Sequence, residues 1–328
     1  MAGDGPRARA VSVPAMLLPL LGVVGGLVLL TYAADQFVVG AARLAAHLRI
    51  STVVVGAVVI GFGTSAPELL VSGLAAGRGS LDLAVGNIVG SNVANLTLVL
   101  GAAALVTPIV VRSAVLKREA PISFVAVLAF ALAVQGGLSL LEGVGLTVLL
   151  VVSLTIIVVS ARVGDPGMAA EVDAVLATPG TTTRREAVRT LFGLLGTVGG
   201  AELLVRSASE VASQLGLSEA FIGLTVVAIG TSLPELATAI QAARKAQTDL
   251  IVGNLLGSNL FNAAAVGATA AFAGGGQIAD PSITGLGVVL MVGVAAGATA
   301  FMLSGRRVVR WEGLVLLLAY AGVLPLLA

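Results

Sequence analysis

Apolar residues run along this chain in long stretches broken only by short polar clusters, a pattern with the dimensions of membrane-crossing helices. Windows of about 20 residues predict ten spans, at roughly 15–46, 51–77, 81–107, 116–136, 140–161, 186–215, 218–244, 248–273, 283–303 and 311–327. The single long polar connection, 162–185, reads RVGDPGMAAEVDAVLATPGTTTRR, and its Pro, Gly and Thr clusters mark a linker. It divides the chain into 1–161 and 186–328, with five spans in each. The expected fold is therefore an all-α polytopic membrane protein. Arg7 and Arg9 ahead of the apolar run Met16–Leu30 imitate a leader peptide, but the repeat described next extends through that run and makes it a working first helix.

The two halves repeat. Adding 167 to a residue number in the first half finds its partner in the second: Thr64 and Thr231, Ser65 and Ser232, Pro67 and Pro234, Glu68 and Glu235, Asn87 and Asn254, Ser91 and Ser258, Asn95 and Asn262. Between 63–95 and 230–262, 17 of 33 positions are identical without a gap, which shared hydrophobicity alone does not supply. The same offset pairs Asp35 with Glu202, so the repeat includes the first span. Because each half holds an odd number of spans, the second copy enters the membrane upside down. That is the inverted-repeat plan of secondary transporters, whose binding site lies at the midplane where the repeats meet. With the N-terminus outside, 14 of the 18 Lys and Arg residues fall in inner loops, so the positive-inside rule places both termini outside and the linker in the cytoplasm. The expected location is a prokaryotic-type plasma (inner) membrane.

Composition narrows the chemistry. A chain that is 57% hydrophobic and 11% charged, with a mean hydropathy of +1.07, is no soluble domain. No cysteine and one histidine, His47, leave oxygen ligands to do any chemistry, which favours hard cations. A net charge of +1 and 4% aromatics offer neither a basic patch nor a stacking platform for nucleic acid. No Ser-His, Cys-His or paired-Asp constellation suggests an enzyme, and no cofactor is implied.

Against that background GFGTSAPELLVSG, residues 61–73, and AIGTSLPELATA, residues 228–239, stand out. A carboxylate at the bilayer centre costs roughly 2.5 to 3.5 kcal/mol on the insertion scale, and here it occurs twice in the same surroundings. In each copy proline removes a backbone donor and disrupts the helical ladder, which predicts freed carbonyls at Gly61 to Thr64 and near Ala228. Thr64 and Ser65 precede Glu68 by four and three residues, so a helical segment puts their hydroxyls near the carboxylate; Thr231 and Ser232 repeat this around Glu235. The following spans carry Asn87, Ser91 and Asn95, and Asn254, Ser258 and Asn262, at intervals of four on one helical face. Gly86 with Gly90, and Gly253 with Gly257, form small-xxx-small patterns that let this stripe approach the Glu-bearing helices. Two glutamates supply two negative charges, matching one Ca²⁺ or two Na⁺. Ca²⁺ takes six to eight oxygens, within reach of two carboxylates, Thr64, Thr231 and further oxygens. An empty pair of close carboxylates is costly in a low-dielectric site, which favours exchange over leak.

Other polar residues read as structural. Asn87, Asn92, Asn254 and Asn259 are expected to hydrogen-bond between helices. Asp82 and Asp249, at span boundaries beside Arg78 and Lys245, read as caps or surface pairs. Asp35 and Glu202 read as interface anchors, with a gating or proton role as the other option.

These motifs resemble the sodium/calcium exchangers of the calcium:cation antiporter superfamily, whose two α-repeats carry G-T-S-x-P-E followed by G-N-x-x-G-S-N-x-x-N. Both copies are present, at 61–95 and 228–262. The resemblance implies a site in which Glu68 and Glu235 are shared by Ca²⁺ and Na⁺. It further implies that Thr64 and Thr231 join the Ca²⁺ site and that Ser65, Ser91, Ser232 and Ser258, with the carbonyls of Gly61 and Ala228, complete flanking Na⁺ sites. Asn95 and Asn262 would face the centre. Some relatives, potassium-dependent exchangers among them, carry Asp at the position of Asn262; with Asn the site has two formal charges and potassium coupling is not expected. The implied mechanism is Na⁺/Ca²⁺ antiport by alternating access, with the long first and sixth spans sliding across the core. Two inverted halves of one chain can complete the site, so a monomer within the lipid bilayer is the expected functional unit. The main rival is a Ca²⁺/H⁺ antiporter using the same glutamates.

Overall fold

Eight helices among the described residues are long and apolar enough to cross a membrane. They belong to a computed structural model that describes residues 13–47, 65–111, 117–161, 182–244, 246 and 248–323. In chain order the helices are α1 Val13–His47, α2 Ala66–Gly77, α3 Leu81–Val106, α4 Glu119–Gly136, α5 Leu140–Ala161, α6 Thr183–Leu215, α7 Glu219–Arg244, α8 beginning with Thr248–Phe261 and continuing to Gly274, α9 Ile283–Leu303 and α10 Arg310–Val323. The two that fall outside the count of eight are α2, whose predicted span begins in residues outside those described, and α10, with 14 residues. Helix α6 starts three residues before its predicted span because the Thr182 hydroxyl accepts from the amide of Arg185 at 3.3 Å and caps the helix there. It ends where Gly216 turns into the left-handed region at φ 66°.

The polar stripes lie on the buried helices and the apolar faces point outward. For α3 and α8, 83% of the spanning window is buried, against 22% for α1 and 17% for α5. Leu17, Leu18, Val24, Val28 and Tyr32 of α1 and Val148, Val151 and Val152 of α5 are exposed, as lipid-facing side chains are.

Helices α1 and α6, with 35 and 33 residues, are each about 50 Å long at 1.5 Å per residue, more than a bilayer core of about 30 Å needs. They pack antiparallel at backbone distance: a Cβ on Gly193 would stand 2.4 Å from the amide nitrogen of Phe37, and one on Gly200 2.6 Å from that of Leu30. Near one end Arg43 approaches Glu186 at 3.8 Å and Arg189 holds the Gln36 side-chain oxygen at 3.0 and 2.8 Å.

Short backbone pairings tie the loops together. Ile109–Val110 pairs antiparallel with Arg307–Val308, and Leu138 exchanges two hydrogen bonds with Gly276, at 2.9 and 2.7 Å.

Two boundary readings change. Arg78 does not pair with Asp82; it reaches Glu202 on α6, which also binds Arg206 one turn on at 2.6 Å. Asp82 instead accepts the amide of Ala279 at 2.9 Å, tying α3 to the loop before α9. Asp249 belongs to a residue whose side chain lies outside the described set. Glu202 is thus an anchor between α6 and the end of α2, while its counterpart Asp35 is exposed and accepts from Gln36. Partly exposed ion pairs contribute about 0 to 1 kcal/mol, so Glu202→Gln is expected to keep transport within about twofold and to lower the melting temperature by about 2 °C or less in a detergent thermal-shift measurement. Loss of transport in that variant would return Glu202 to the gating role.

Candidate cation site

Each glutamate lies three residues past a serine at which a helix begins. Ser65 and Ser232 hold nearly the same backbone conformation, φ −91°, ψ 7° and φ −86°, ψ 5°, in the bridge region; at Ser232 this breaks α7 after Ala228–Thr231. A new helix starts after each: Leu69 donates to the Ser65 carbonyl at 3.0 Å and Leu236 to the Ser232 carbonyl at 3.1 Å. Proline is tolerated there because the first turn has no donor to lose. Glu68 and Glu235 therefore fall in the first turn of a half-helix, whose positive end favours a carboxylate.

One expectation is corrected here. The Ala228 carbonyl is not freed: it accepts the Ser232 amide at 3.1 Å and lies 3.3 Å from the Thr231 hydroxyl. The missing amide of Pro234 deprives the carbonyl four residues earlier, that of Gly230, of its helical donor.

The two carboxyls are each 1% exposed. All four of their oxygens lack a hydrogen-bond partner, and no ion pair reaches them among the described residues. They lie close enough for charge repulsion, and Glu68 stands beside Thr231 and Ser232 of the other half. The side-chain oxygens of Ser65, Ser91, Ser232, Asn95 and Asn262 are also buried without a partner. Ser258 is buried as well. Gly61 and Thr64 lie outside the described residues. Unpaired buried polar atoms are costly and few in folded proteins, yet here they gather on the residues picked out by the repeat. Among the described residues no group of three or more Asp, Glu or His side chains forms, so a cation would meet two charges and a surround of neutral oxygens.

Of the four asparagines that read as structural, Asn87 and Asn259 bond between helices, whereas the Asn92 side chain bonds within its own helix. Asn95 donates to the Asn259 side chain at 3.0 Å, and Asn259 donates to the Asn92 carbonyl at 3.2 Å, locking α3 to α8. Asn92 donates to the Ile88 carbonyl at 2.8 Å. Asn87 donates to Ser72 on α2 at 3.0 Å and accepts from Thr231 on α7 at 3.3 Å. Gly86 and Gly90 make this contact possible, since a Cβ on either would lie 2.5 Å from the Ala220 carbonyl or 2.3 Å from that of Leu224. The small-residue pattern thus presses α3 against the helix that carries Glu235.

One feature has no counterpart in the sequence pattern. Asn95 and Asn262 each open a five-residue π-helical turn, Asn95–Val99 and Asn262–Val266, and a third turn, Gly223–Val227, precedes the break in α7. Such turns recur at functional sites because they shift the helix register and loosen the carbonyl ladder locally. At Asn95 and Asn262 the only signal in the sequence is a polar residue at the same place in both copies; the turn at Gly223 and a further one at Ile283–Gly287 carry none.

The family model described as sodium/calcium exchanger protein matches twice, over residues 18–159 and 186–327. The chain belongs to this family. It is an ion antiporter built from membrane helices, of the cation/Ca²⁺ exchanging kind. It is 39% identical to an Alkalimonas amylolytica protein named as the antiporter CaxA, over 94% of this chain and 98% of that one. It is 30% identical to the sodium/calcium exchanger MaX1 of Methanosarcina acetivorans, over 92% and 96%. Among solved structures it resembles the sodium-calcium exchanger NCX_Mj soaked with Na⁺ and Sr²⁺, with a TM-score of 0.64 and 29% identity over 94% of this chain and 98% of that one.

Proposed function

We propose that this family member exchanges Na⁺ for Ca²⁺ by alternating access between two inverted halves, 1–161 and 186–328, of five spans each. The observation that carries the reading is the cluster of unpartnered buried oxygens. Glu68 and Glu235 supply charge for either ion; Thr231, with Thr64 by the repeat, adds Ca²⁺ ligands. Ser65, Ser91, Ser232 and Ser258, with the carbonyl of Gly61, serve Na⁺, and Asn95 and Asn262 face the centre. A proton carrier needs only the carboxylates, whereas the surrounding serine and asparagine oxygens suit a second metal cation.

The loop pairings support the inverted plan. Moving by 167 takes Ile109 to Gly276 and Leu138 to within three residues of Val308, so the pairing of Ile109 with Val308 and that of Gly276 with Leu138 occupy corresponding loops. Each joins the loop after the third span of one half to the loop after the fourth span of the other, the reciprocity a pseudo-twofold axis in the membrane plane requires. The proposal places the protein in the plasma membrane as a monomer, with both termini outside.

The test is uptake of radioactive calcium into vesicles loaded with Na⁺, with the Na⁺ gradient, pH gradient and membrane potential clamped in turn. Uptake is expected to require internal Na⁺ and to persist with the pH gradient collapsed. Uptake driven by a pH gradient without Na⁺ would reassign the chain to Ca²⁺/H⁺ antiport.

A further inference from the structure

A chain of hydrogen bonds runs from the backbone of α3 to Thr231, and its direction can be read from its fixed end. The Ala84 carbonyl can only accept, so the Ser72 hydroxyl, 3.3 Å away, donates to it. The Ser72 oxygen then accepts, and Asn87 meets it with its amide nitrogen at 3.0 Å. That orientation leaves Asn87 Oδ1 facing Thr231, whose hydroxyl donates at 3.3 Å. The Ala228 carbonyl, also 3.3 Å from that hydroxyl, is a second acceptor, and Glu68, which stands beside Thr231, is a third. Ser72, Asn87 and Thr231 are all buried, so water does not compete for these bonds.

We propose that Asn87 is a positioning residue that commits the Thr231 proton away from Glu68 and so presents the Thr231 oxygen to the site as an acceptor for a cation. The inference rests on the proposed reading of Thr231 as a Ca²⁺ ligand. A hydroxyl free to rotate would donate to Glu68, stabilise the empty carboxylate and have to be turned before an ion could bind. With its hydrogen held by Asn87, the oxygen meets the ion already oriented, and the Glu68 oxygens stay unsatisfied until a cation arrives, as their lack of partners indicates. In the second half the offset of 167 places Ala239 where Ser72 stands, so the Ser72 anchor itself is not repeated there.

The experiment compares Ca²⁺ binding to purified protein with Na⁺-driven Ca²⁺ uptake for wild type, Asn87→Ala, Thr231→Val, the double variant and Ser72→Ala. The Ca²⁺ half-saturation of Asn87→Ala is expected to rise about fivefold, close to the cost of one buried hydrogen bond, with the maximal rate within about twofold. The double variant is expected to be no worse than Thr231→Val alone, because both act through one oxygen. Ser72→Ala, which removes the anchor and leaves Asn87 in place, should show a smaller shift of the same sign and supplies the test if Asn87→Ala does not fold. Multiplying losses in the double variant, or an unchanged half-saturation in Asn87→Ala and Ser72→Ala, would overturn the positioning role. Absence of Ca²⁺ binding in the wild type would instead overturn the reading of the site.

Discussion

Glu68→Gln and Glu235→Gln are each expected to abolish Ca²⁺ uptake while leaving the fold at least as stable as wild type. The carboxyls are buried and their four oxygens have no hydrogen-bond partner, so their charge does not hold the structure together. Burying a charge without a partner is costly, and replacing one with a neutral amide of the same shape relieves repulsion between the pair. For a bound ion the sign reverses. A unit charge pair at 4 Å is worth on the order of 4 kcal/mol at an effective dielectric of 20, and about 1.4 kcal/mol is tenfold in affinity. Losing one of two charges should therefore weaken a divalent ion by at least about a thousandfold. The helix ends cannot make up the difference, since a helix dipole contributes roughly 0.3 to 1 kcal/mol. Radioactive calcium uptake paired with thermal denaturation checks both halves of the prediction. Uptake above a tenth of the wild-type rate in either variant would remove that glutamate from the site; a large drop in melting temperature would mean that its charge is structural.

What is legible in the sequence follows the strength of the physical signal. A glutamate beside a proline within an apolar run is conspicuous because lipid penalises it, and its duplication at a fixed offset is enough to tie Glu68 to Glu235. The four-residue stripe of Asn87, Ser91 and Asn95 announces a helical face, and the buried oxygens lie along it. The π turns at Asn95 and Asn262 are not legible, because a change from four-residue to five-residue hydrogen bonding leaves the composition untouched. The partner of Arg78 is hidden for another reason. Glu202 stands 124 residues away, whereas Asp82 stands four residues away, and proximity in sequence suggests the wrong acid. The carbonyl near Ala228 is misread because a proline frees only the carbonyl four residues before it. The directed chain from Ala84 to Thr231 crosses three helices, so only their packing could bring it together.

Gly90→Ala is expected to disable transport and destabilise the protein, although alanine is the better helix former. The added Cβ would lie 2.3 Å from the Leu224 carbonyl oxygen and 2.6 Å from the Ala228 Cβ, against an ordinary contact of about 3.5 to 4.0 Å. Backbone atoms on α7 cannot step aside as a flexible side chain would, so α3 and α7 must separate. Overpacking of this kind costs roughly 1 to 3 kcal/mol, and the gain in helix propensity, at most about 1 kcal/mol, does not offset it. The functional loss should exceed the loss of stability, because Asn87 and Ser91 flank Gly90 on α3 and are held against Thr231 and the helix carrying Glu235 by this same contact. A separation on the order of 1 Å opens the Asn87 to Thr231 bond, already 3.3 Å long, and spreads the oxygens that a Ca²⁺ ion draws to about 2.3 to 2.6 Å. Gly297→Ala on α9 provides the comparison, since its Cβ meets nothing within 4 Å among the described residues and should leave both properties unchanged or raise the melting temperature slightly. The measurement is Na⁺-driven Ca²⁺ uptake and thermal denaturation of both variants, with a loss of tenfold or more in rate expected for Gly90→Ala alone. If Gly90→Ala matched Gly297→Ala in both, α3 and α7 would have room to spare, and the packing of the two halves would not be what holds the oxygens in place.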